Sequence, residues 1–573
     1  MGHDSRTTRR RLLAQAGAAG LTAASAGGLV PLLRADSARA APSAATPAWL
    51  HERVLELEAF GGRPSASPSH AAYNELVKEQ LVAAGVMDVR DEPLAIDRWF
   101  LPAEDAMTRA AGGRNPWHAN AEGSGVMLET LDASGATARR WKVANYVPYS
   151  GSTGPGGVEG RAVVISANVM SALPFDPTRA TRNILERLAG AGGVRDKIVV
   201  FDASMLPLTL AISFATSWSR YDPDGELRRN EPYRRPWISQ VVAPFNQLVM
   251  LTRLHAAGMV VVLADQPWDL ARGSYYPYGS YYDGVDQLQD CPGVFLDRDE
   301  GRAFKAALQG TDHRVRLTLD ARVERANLNV VTGTIPGATD RETIILNSHT
   351  DGPSAFEDNG PIAIVALARR FAAMRREQRP RTMHIAMTAH FRSELASKSF
   401  IAQHDHDWIE RCVACLTLEH LGAKEWIVNP QTGVFEPTGK LEVGSMMLVE
   451  STPLRREVEA MLRHADLRRH FVQHRYIPDP ESVRLDGSGR KLGISYTGEG
   501  VELARIGIPA MNYATGPTYL LSGTQTSDKH DYELFSRQVD AFAWLIDRCM
   551  TAPASALRSP LVRAQRRLHL RKL

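Results

Sequence analysis

Residues 344–371, IILNSHTDGPSAFEDNGPIAIVALARRF, constrain the fold more than any other stretch of the chain. Ile344, Ile345 and Leu346 form a run short and apolar enough for a buried parallel strand, while Ile362, Val365, Leu367 and Phe371 recur at near-helical spacing. A buried strand running into an apolar helix is one unit of an α/β fold. The turn between them holds His349, Asp351, Glu357 and Asp358. Open α/β sheets gather ligands and catalytic groups at the carboxyl ends of their strands, where this turn falls. Taken alone, the same acids also suit the N-terminus of a capped helix.

The pattern repeats downstream. Apolar strands at 329–332, 343–346, 384–388 and 413–418 alternate with helical segments, and a last strand at 509–513 precedes a closing helix at 532–549. The expectation is an α/β fold: a mostly parallel sheet flanked by helices, interrupted by an insert at 424–490. Upstream, residues 41–60 predict a helix ending at Gly61-Gly62, and residues 70–85 place Tyr73, Leu76, Val77, Leu81 and Val82 on one inward face. Between 125 and 320 the texture changes to short β runs at 161–165, 197–201, 259–263 and 293–296, parted by Gly and Pro. At 573 residues more than one domain is expected. The divisions are 1–40 for a leader, 41–124 and 325–550 for the α/β domain, 125–320 for an inserted β-rich domain, and 551–573 for a basic tail.

The first forty residues read as a twin-arginine export signal. Arg9-Arg10-Arg11 precedes an Ala, Gly and Leu run, and Ala38-Arg39-Ala40 supplies a cleavage-like site, so the expected location is secreted or periplasmic. Pro31 and many glycines break the run, so no stable membrane anchor is expected. Six arginines against two aspartates in this leader contribute +4 to a net charge of +3, which leaves the remainder near −1. Nothing in that balance points to nucleic acid. The tail from Arg558 to Lys572 carries six basic and no acidic residues, and is expected to be solvated.

Cys291, Cys412, Cys415 and Cys549 are too few for a disulfide scaffold and are expected as small buried residues, with one bridge open as an alternative. His404 and His406 diverge on a helix and are expected at the surface. His420 follows Glu419, and strand alternation expects only one of them to face a site. The aromatic run Tyr275, Tyr276, Tyr278, Tyr281 and Tyr282 reads either as a substrate cover or as loop packing. Arg228, Arg229, Arg234 and Arg235, interleaved with acids, read as a mixed solvated surface.

Taken in order, GGRPSASPSHAAYNELVKEQLVAAGV, VEGRAVVIS, GGVRDKIVVFD, AAGMVVVLAD, CPGVFLDRDEGRAFKAAL, NLNVVTGTIPG with ETIILNSHTDG, and IGIPAMNY with ELFSRQVDAFAWLI resemble the zinc exopeptidase family. These are aminopeptidases and glutamate-carboxypeptidase-like enzymes carrying an inserted protease-associated domain, and the resemblance covers most of the chain after the leader. That family's site holds two zinc ions on one bridging carboxylate, two histidines and two further carboxylates, with a glutamate as general base. The resemblance implies His349 as a metal ligand, Asp351 as its orienting carboxylate, Asp358 as the bridging ligand and Glu419 as the acidic ligand after the next strand.

The departures are equally specific. The family's adjacent glutamates, base then ligand, fall on His390-Phe391, and its last histidine ligand falls on Leu521. A polar triplet that holds another histidine in the family is Gly498-Glu499-Gly500 here. One metal position therefore lacks two of its three protein ligands. The expectation is one zinc on His349, Asp358 and Glu419, the three-ligand composition of a catalytic site. His390 then stands as proton carrier, or alternatively as a fourth ligand, and Glu394 is the base if the local alignment slips. The implied function is zinc-dependent hydrolysis of a peptide or small amide bond. The alternatives are another reaction on the same scaffold and a non-catalytic binding protein that keeps the fold.

Overall fold

The computed structural model describes residues 45–165, 193–236, 251–276, 288–310, 314–390, 400–404, 406–448, 452–474 and 498–558. The export signal, most of the basic tail, Tyr278, Tyr281, Tyr282, Phe391 and Glu394 lie outside the described residues, as does the side chain of His406.

In chain order the strands are β1 (Met87–Phe100), β2 (Val126–Leu131), β3 (Thr137–Trp141), β4 (Asn145–Tyr146), β5 (Gly154–Ile165), β6 (Lys197–Ala203), β7 (Ser217–Tyr221), β8 (Gly258–Leu263), β9 (Gly293–Leu296) and β10 (Arg314–Leu319). There follow β11 (Arg322–Ile335), β12 (Thr343–His349), β13 (Thr382–Thr388), β14 (Cys412–Leu418), β15 (Lys424–Val428), β16 (Phe435–Leu441), β17 (Gly444–Leu448), β18 (His470–His474) and β19 (Ala510–Thr515). The helices that bear on the site are α1 (Pro47–Glu58), α2 (Pro68–Ala83), α3 (Gly360–Ala372), α4 (Thr452–His464) and α5 (Tyr532–Thr551).

Nine strands make one sheet in the order β1-β11-β13-β12-β14-β19-β17-β18-β7. Its centre, β13-β12-β14-β19, is parallel, and its margins are antiparallel apart from the parallel pair β17-β18. Eight strands make the other large sheet, in the order β3-β2-β10-β5-β6-β8-β9-β4, all between residues 126 and 319. Two features cut across the boundaries read from the sequence. Strand β7, from the middle region, closes the edge of the nine-stranded sheet on β18, and β17 and β18 of the expected insert extend that sheet past β19.

The uninterrupted apolar run of β12 is explained by burial on both faces. Ile344 and Leu346 pack with α3, α5 and α1, while Ile345 packs on the opposite face with Cys415, Ala386 and Ile508. Helix α3 is buried along most of its length, and Ile364, Leu367 and Phe371 have no exposed surface. Each such side chain contributes about 1.5–3 kcal/mol by burial. The inward face of α2 follows the expected spacing at Tyr73, Val77 and Leu81, but Val82 points to solvent. Ser67 caps that helix, accepting from the His70 N–H, with Pro68 at its first position. All four cysteines are free and buried, so the alternative of a bridge is not realised.

Candidate functional site

Three adjacent parallel strands deliver their carboxyl ends to one place. The register pairs His349 of β12 with Thr388 of β13, so His390 follows two residues beyond, and β14 runs out beside them into Glu419 and His420. Below this end Asn347 ties the three strands together, donating to the Ala386 carbonyl at 2.9 Å and accepting from Thr417 Oγ1 at 3.0 Å. Asn359, at the start of α3, donates to the Leu421 carbonyl and accepts from the Leu421 N–H, both at 2.9 Å, fixing the loop after Glu419. Gly360 is required by this contact, since a Cβ there would meet the Leu418 carbonyl oxygen at 2.0 Å.

His420 has φ +55, a left-handed conformation that a residue with a Cβ adopts only under local compulsion. It ends strand alternation, and so Glu419 and His420 both reach the site where alternation expects one of them. His420 Nδ1 donates to the Thr515 carbonyl at 2.9 Å, and its Nε2 lies 3.6 Å from Glu357 Oε1. His349 Nδ1 likewise donates to the Asp351 carbonyl at 2.9 Å. In the neutral form of both rings the proton sits on Nδ1, so Nε2 presents a lone pair.

The sequence-predicted residues divide into two groups. His349, His390 and Glu419 come together, joined by His420, Glu357 and Glu499; the donor atoms of His349, Glu419 and His420, and those of His349, Glu357 and His390, lie within 4.8 Å of one another. Asp358 is not among these groups. Both of its oxygens accept from Arg63, Oδ1 from Nη2 at 2.5 Å and Oδ2 from Nε at 2.8 Å, with neither residue exposed. Asp351 orients His349 through its backbone carbonyl, while its carboxylate stands 3.7 Å off. That carboxylate accepts the His390 N–H at 2.6 Å and the Ser65 hydroxyl at 2.5 Å.

His390 Nδ1 is 2.7 Å from Glu499 Oε1, and its Nε2 is 3.8 Å from Glu357 Oε1. At 17% exposed it is the most open side chain of the cluster, the group nearest to solvent. Charge at the site is lopsided. Burial and the neighbouring Glu499 push Glu419 well above the usual carboxylate range. Burial opposes ionisation of Glu499 too, yet His349, the hydrogen bond from Glu419 and His390 hold it well below that range. Burial likewise works against a charged His349, but Glu499, Asp351 and Glu419 lift it well above an ordinary imidazole.

The cluster therefore seeks positive charge. The Nε2 atoms of His349 and His420, both oxygens of Glu357 and Oε1 of Glu419 have no hydrogen-bond partner among the described residues. Polar atoms left so cost about 1–3 kcal/mol each. Convergent imidazole nitrogens and carboxylates at this spacing are the donor set of a zinc-like ion, and the residues fit one such ion.

Leu521, which the sequence reading sets against the family's last histidine, has φ +63 and is buried with the core of the eight-stranded sheet. His404 is half-buried against Trp408, at 3.9 Å between ring centres, rather than at the surface. Tyr275 and Tyr276 are buried loop packing, the latter on Gln266 at 2.9 Å. Arg235 departs from the solvated reading: it is buried on Glu442 at 2.9 Å and Glu425 at 3.3 Å. Arg63 escapes sequence reasoning, Glu357 is read there only as an acid of the turn and helix start, and His420 is set aside by strand alternation. The available signals were an arginine directly after Gly61-Gly62, an acid next to Asp358, and a histidine two residues before Gly422.

Neither a protein-family model nor a curated protein matches the sequence. Solved structures do match. A zinc aminopeptidase from Bacillus subtilis superposes with a TM-score of 0.55 at 11% identity, covering 89% of this chain and 97% of its own. A peptidase M28 precursor from Shewanella amazonensis SB2B gives a TM-score of 0.54 at 13% identity, covering 88% and 93%. The chain has the fold of these zinc aminopeptidases over nearly its whole described length, in keeping with the α/β architecture expected from its sequence.

Proposed function

We propose that this chain is a zinc-dependent hydrolase of peptide or small amide bonds, with one ion held by His349, Glu419 and His420. The observation that carries the reading is the pair of Nε2 lone pairs, each fixed by an Nδ1–H bond to a backbone carbonyl, aimed at buried carboxylate oxygens that have no other partner. The shared fold with a zinc aminopeptidase supports the same choice of metal and substrate class. When bound, zinc supplies Lewis acidity, polarising a carbonyl and making water a better nucleophile near neutral pH.

The remaining residues supply orientation and proton movement. His390 is the most open group, so its Nε2 takes and returns the proton, while Glu499 holds Nδ1 and the Asp351 carboxylate holds the backbone N–H. Glu357, 3.8 Å from Nε2, favours the protonated ring once a proton has arrived. The arginine-rich leader belongs to the same proposal, as an export signal that places the hydrolase in the periplasm or outside the cell. The eight-stranded sheet is read as the protease-associated domain.

Metal analysis of the purified chain, with a survey of aminoacyl and acyl amide substrates, tests the reading. One zinc per chain is expected, lost in His349→Ala and His420→Ala together with amide hydrolysis. A chain that binds no ion under zinc-replete conditions would sink the proposal and leave a non-catalytic binding protein.

A further inference from the structure

Arg63 is the largest buried cation beside the site. It precedes α2, and its backbone pairs with Gly352 in the turn after β12, the N–H of Arg63 donating to the Gly352 carbonyl at 2.8 Å. Four of the five N–H groups of its guanidinium donate. Nε and Nη2 clasp the two oxygens of Asp358, Nη2 also donates to the Ser354 carbonyl at 2.8 Å, and Nη1 donates to the Gly61 carbonyl. The ring of Tyr73 lies 5.5 Å from its centre.

A carboxylate bridging two metal ions presents a lone pair to each, and both oxygens of Asp358 already accept from Arg63, whose positive charge and forked hydrogen bonds compete with metal ions for that carboxylate. A planar fork on a carboxylate is the geometry that makes arginine, rather than lysine, the cation of buried pairs. Meanwhile the atoms that lack hydrogen-bond partners, on His349, His420, Glu357 and Glu419, lie on residues that make up the candidate donor groups, and Asp358 is in none of those groups. Breaking the pair by removing one member would strand a buried charge, so the arrangement holds itself in place.

We propose that Arg63 is a built-in counter-cation that takes the place of a second metal ion: it commits Asp358 and confines the site to one divalent ion on the histidine-rich side. The inference rests on the hydrolase reading for the presence of the first ion. It assigns Asp358 to Arg63, and so separates this chain from any two-metal use of the same turn.

The test is zinc stoichiometry and affinity, by native mass spectrometry and competition with a chelating dye, on the wild-type chain, Asp358→Asn and the double variant Arg63→Gln with Asp358→Asn. The double variant removes both charges together, so the fold does not have to carry an unmatched guanidinium, and thermal melts report that each chain is folded. One zinc is expected in all three, with affinity falling by no more than about tenfold, the low end for groups beyond the coordinating residues. Two zinc ions in the wild type, or loss of the ion from a folded double variant, would overturn the inference while leaving the hydrolase reading in place. No zinc in the wild type would overturn both.

Discussion

His390 Nδ1 and Glu499 Oε1 stand 2.7 Å apart, across 109 residues of sequence, and this contact sets which nitrogen of His390 faces the site. The carboxylate accepts a hydrogen bond from Nδ1–H, so Nε2 is left to work. Glu499→Gln keeps the shape but offers either an amide donor or a weaker acceptor, which randomises the tautomer. The expected result is a fall in kcat of about 10²–10⁴-fold, the range for a positioned acid–base group, with zinc content retained. Loss of zinc instead would make Glu499 a ligand.

Glu499 reaches its partners only because Gly498 lets the chain turn beneath it. Gly498 has φ +99, and a Cβ there would sit 2.1 Å from Asn512 Nδ2 and 2.8 Å from Glu419 Oε1. Gly498→Ala therefore pushes directly on a proposed zinc ligand as well as straining the backbone. The variant should lose about 1–3 kcal/mol of stability and bind zinc at least about tenfold more weakly. A chain with wild-type zinc affinity and a lower melting temperature would show that the glycine serves the backbone alone.

Much of the scaffold was legible because its signals are local. The runs at 161–165, 197–201, 259–263 and 293–296 lie within β5, β6, β8 and β9, and those at 343–346 and 413–418 lie within β12 and β14. Most are largely apolar stretches, as burial on both faces requires, although β5 leaves Arg161 and Val164 exposed. The antiparallel capture of β7 by β18 was not legible, since it joins segments about 250 residues apart and no local pattern encodes a partner. At the site, His349 and Glu419 were singled out by the resemblance, and both fall at the ends of strands. His420 could not be placed, because the alternation rule fails where φ turns positive, and Arg63 could not, because the reason for its burial is Asp358, 295 residues away.

Arg235 tests whether the buried charges between the sheets are structural. Its Nη2 lies 2.9 and 3.0 Å from the two oxygens of Glu442 and 3.3 Å from Glu425, and Arg469 stands 3.7 Å from Glu425. Arg235→Met preserves the apolar stem but leaves Glu442 without its guanidinium. A loss of about 3–5 kcal/mol is expected by chemical denaturation, much of it recovered when Glu442→Gln is added. If the single variant costs no more than the pair, the arginine is not neutralising Glu442.

Glu104 gives the fold a pH dependence of predictable sign. Burial pushes its carboxyl from 4.5 to about 7, although Asn115 Nδ2 donates to it at 2.7 Å and the Tyr146 hydroxyl at 3.0 Å; Asp105 adds to the rise and Arg98 opposes it. The folded chain thus holds a proton that the unfolded chain releases between about pH 4.5 and 7, so stability falls as pH rises through that window. The full loss above pH 7 is roughly 3 kcal/mol. Glu104→Gln fixes the neutral form, keeping an oxygen for Asn115 and an amide that can donate to Tyr146. The variant should match the wild type near pH 4.5 and exceed it by roughly 3 kcal/mol at pH 8, measured by urea denaturation across pH. Equal pH profiles for the two chains would mean that Glu104 stays ionised in the fold, held by its two donors against burial.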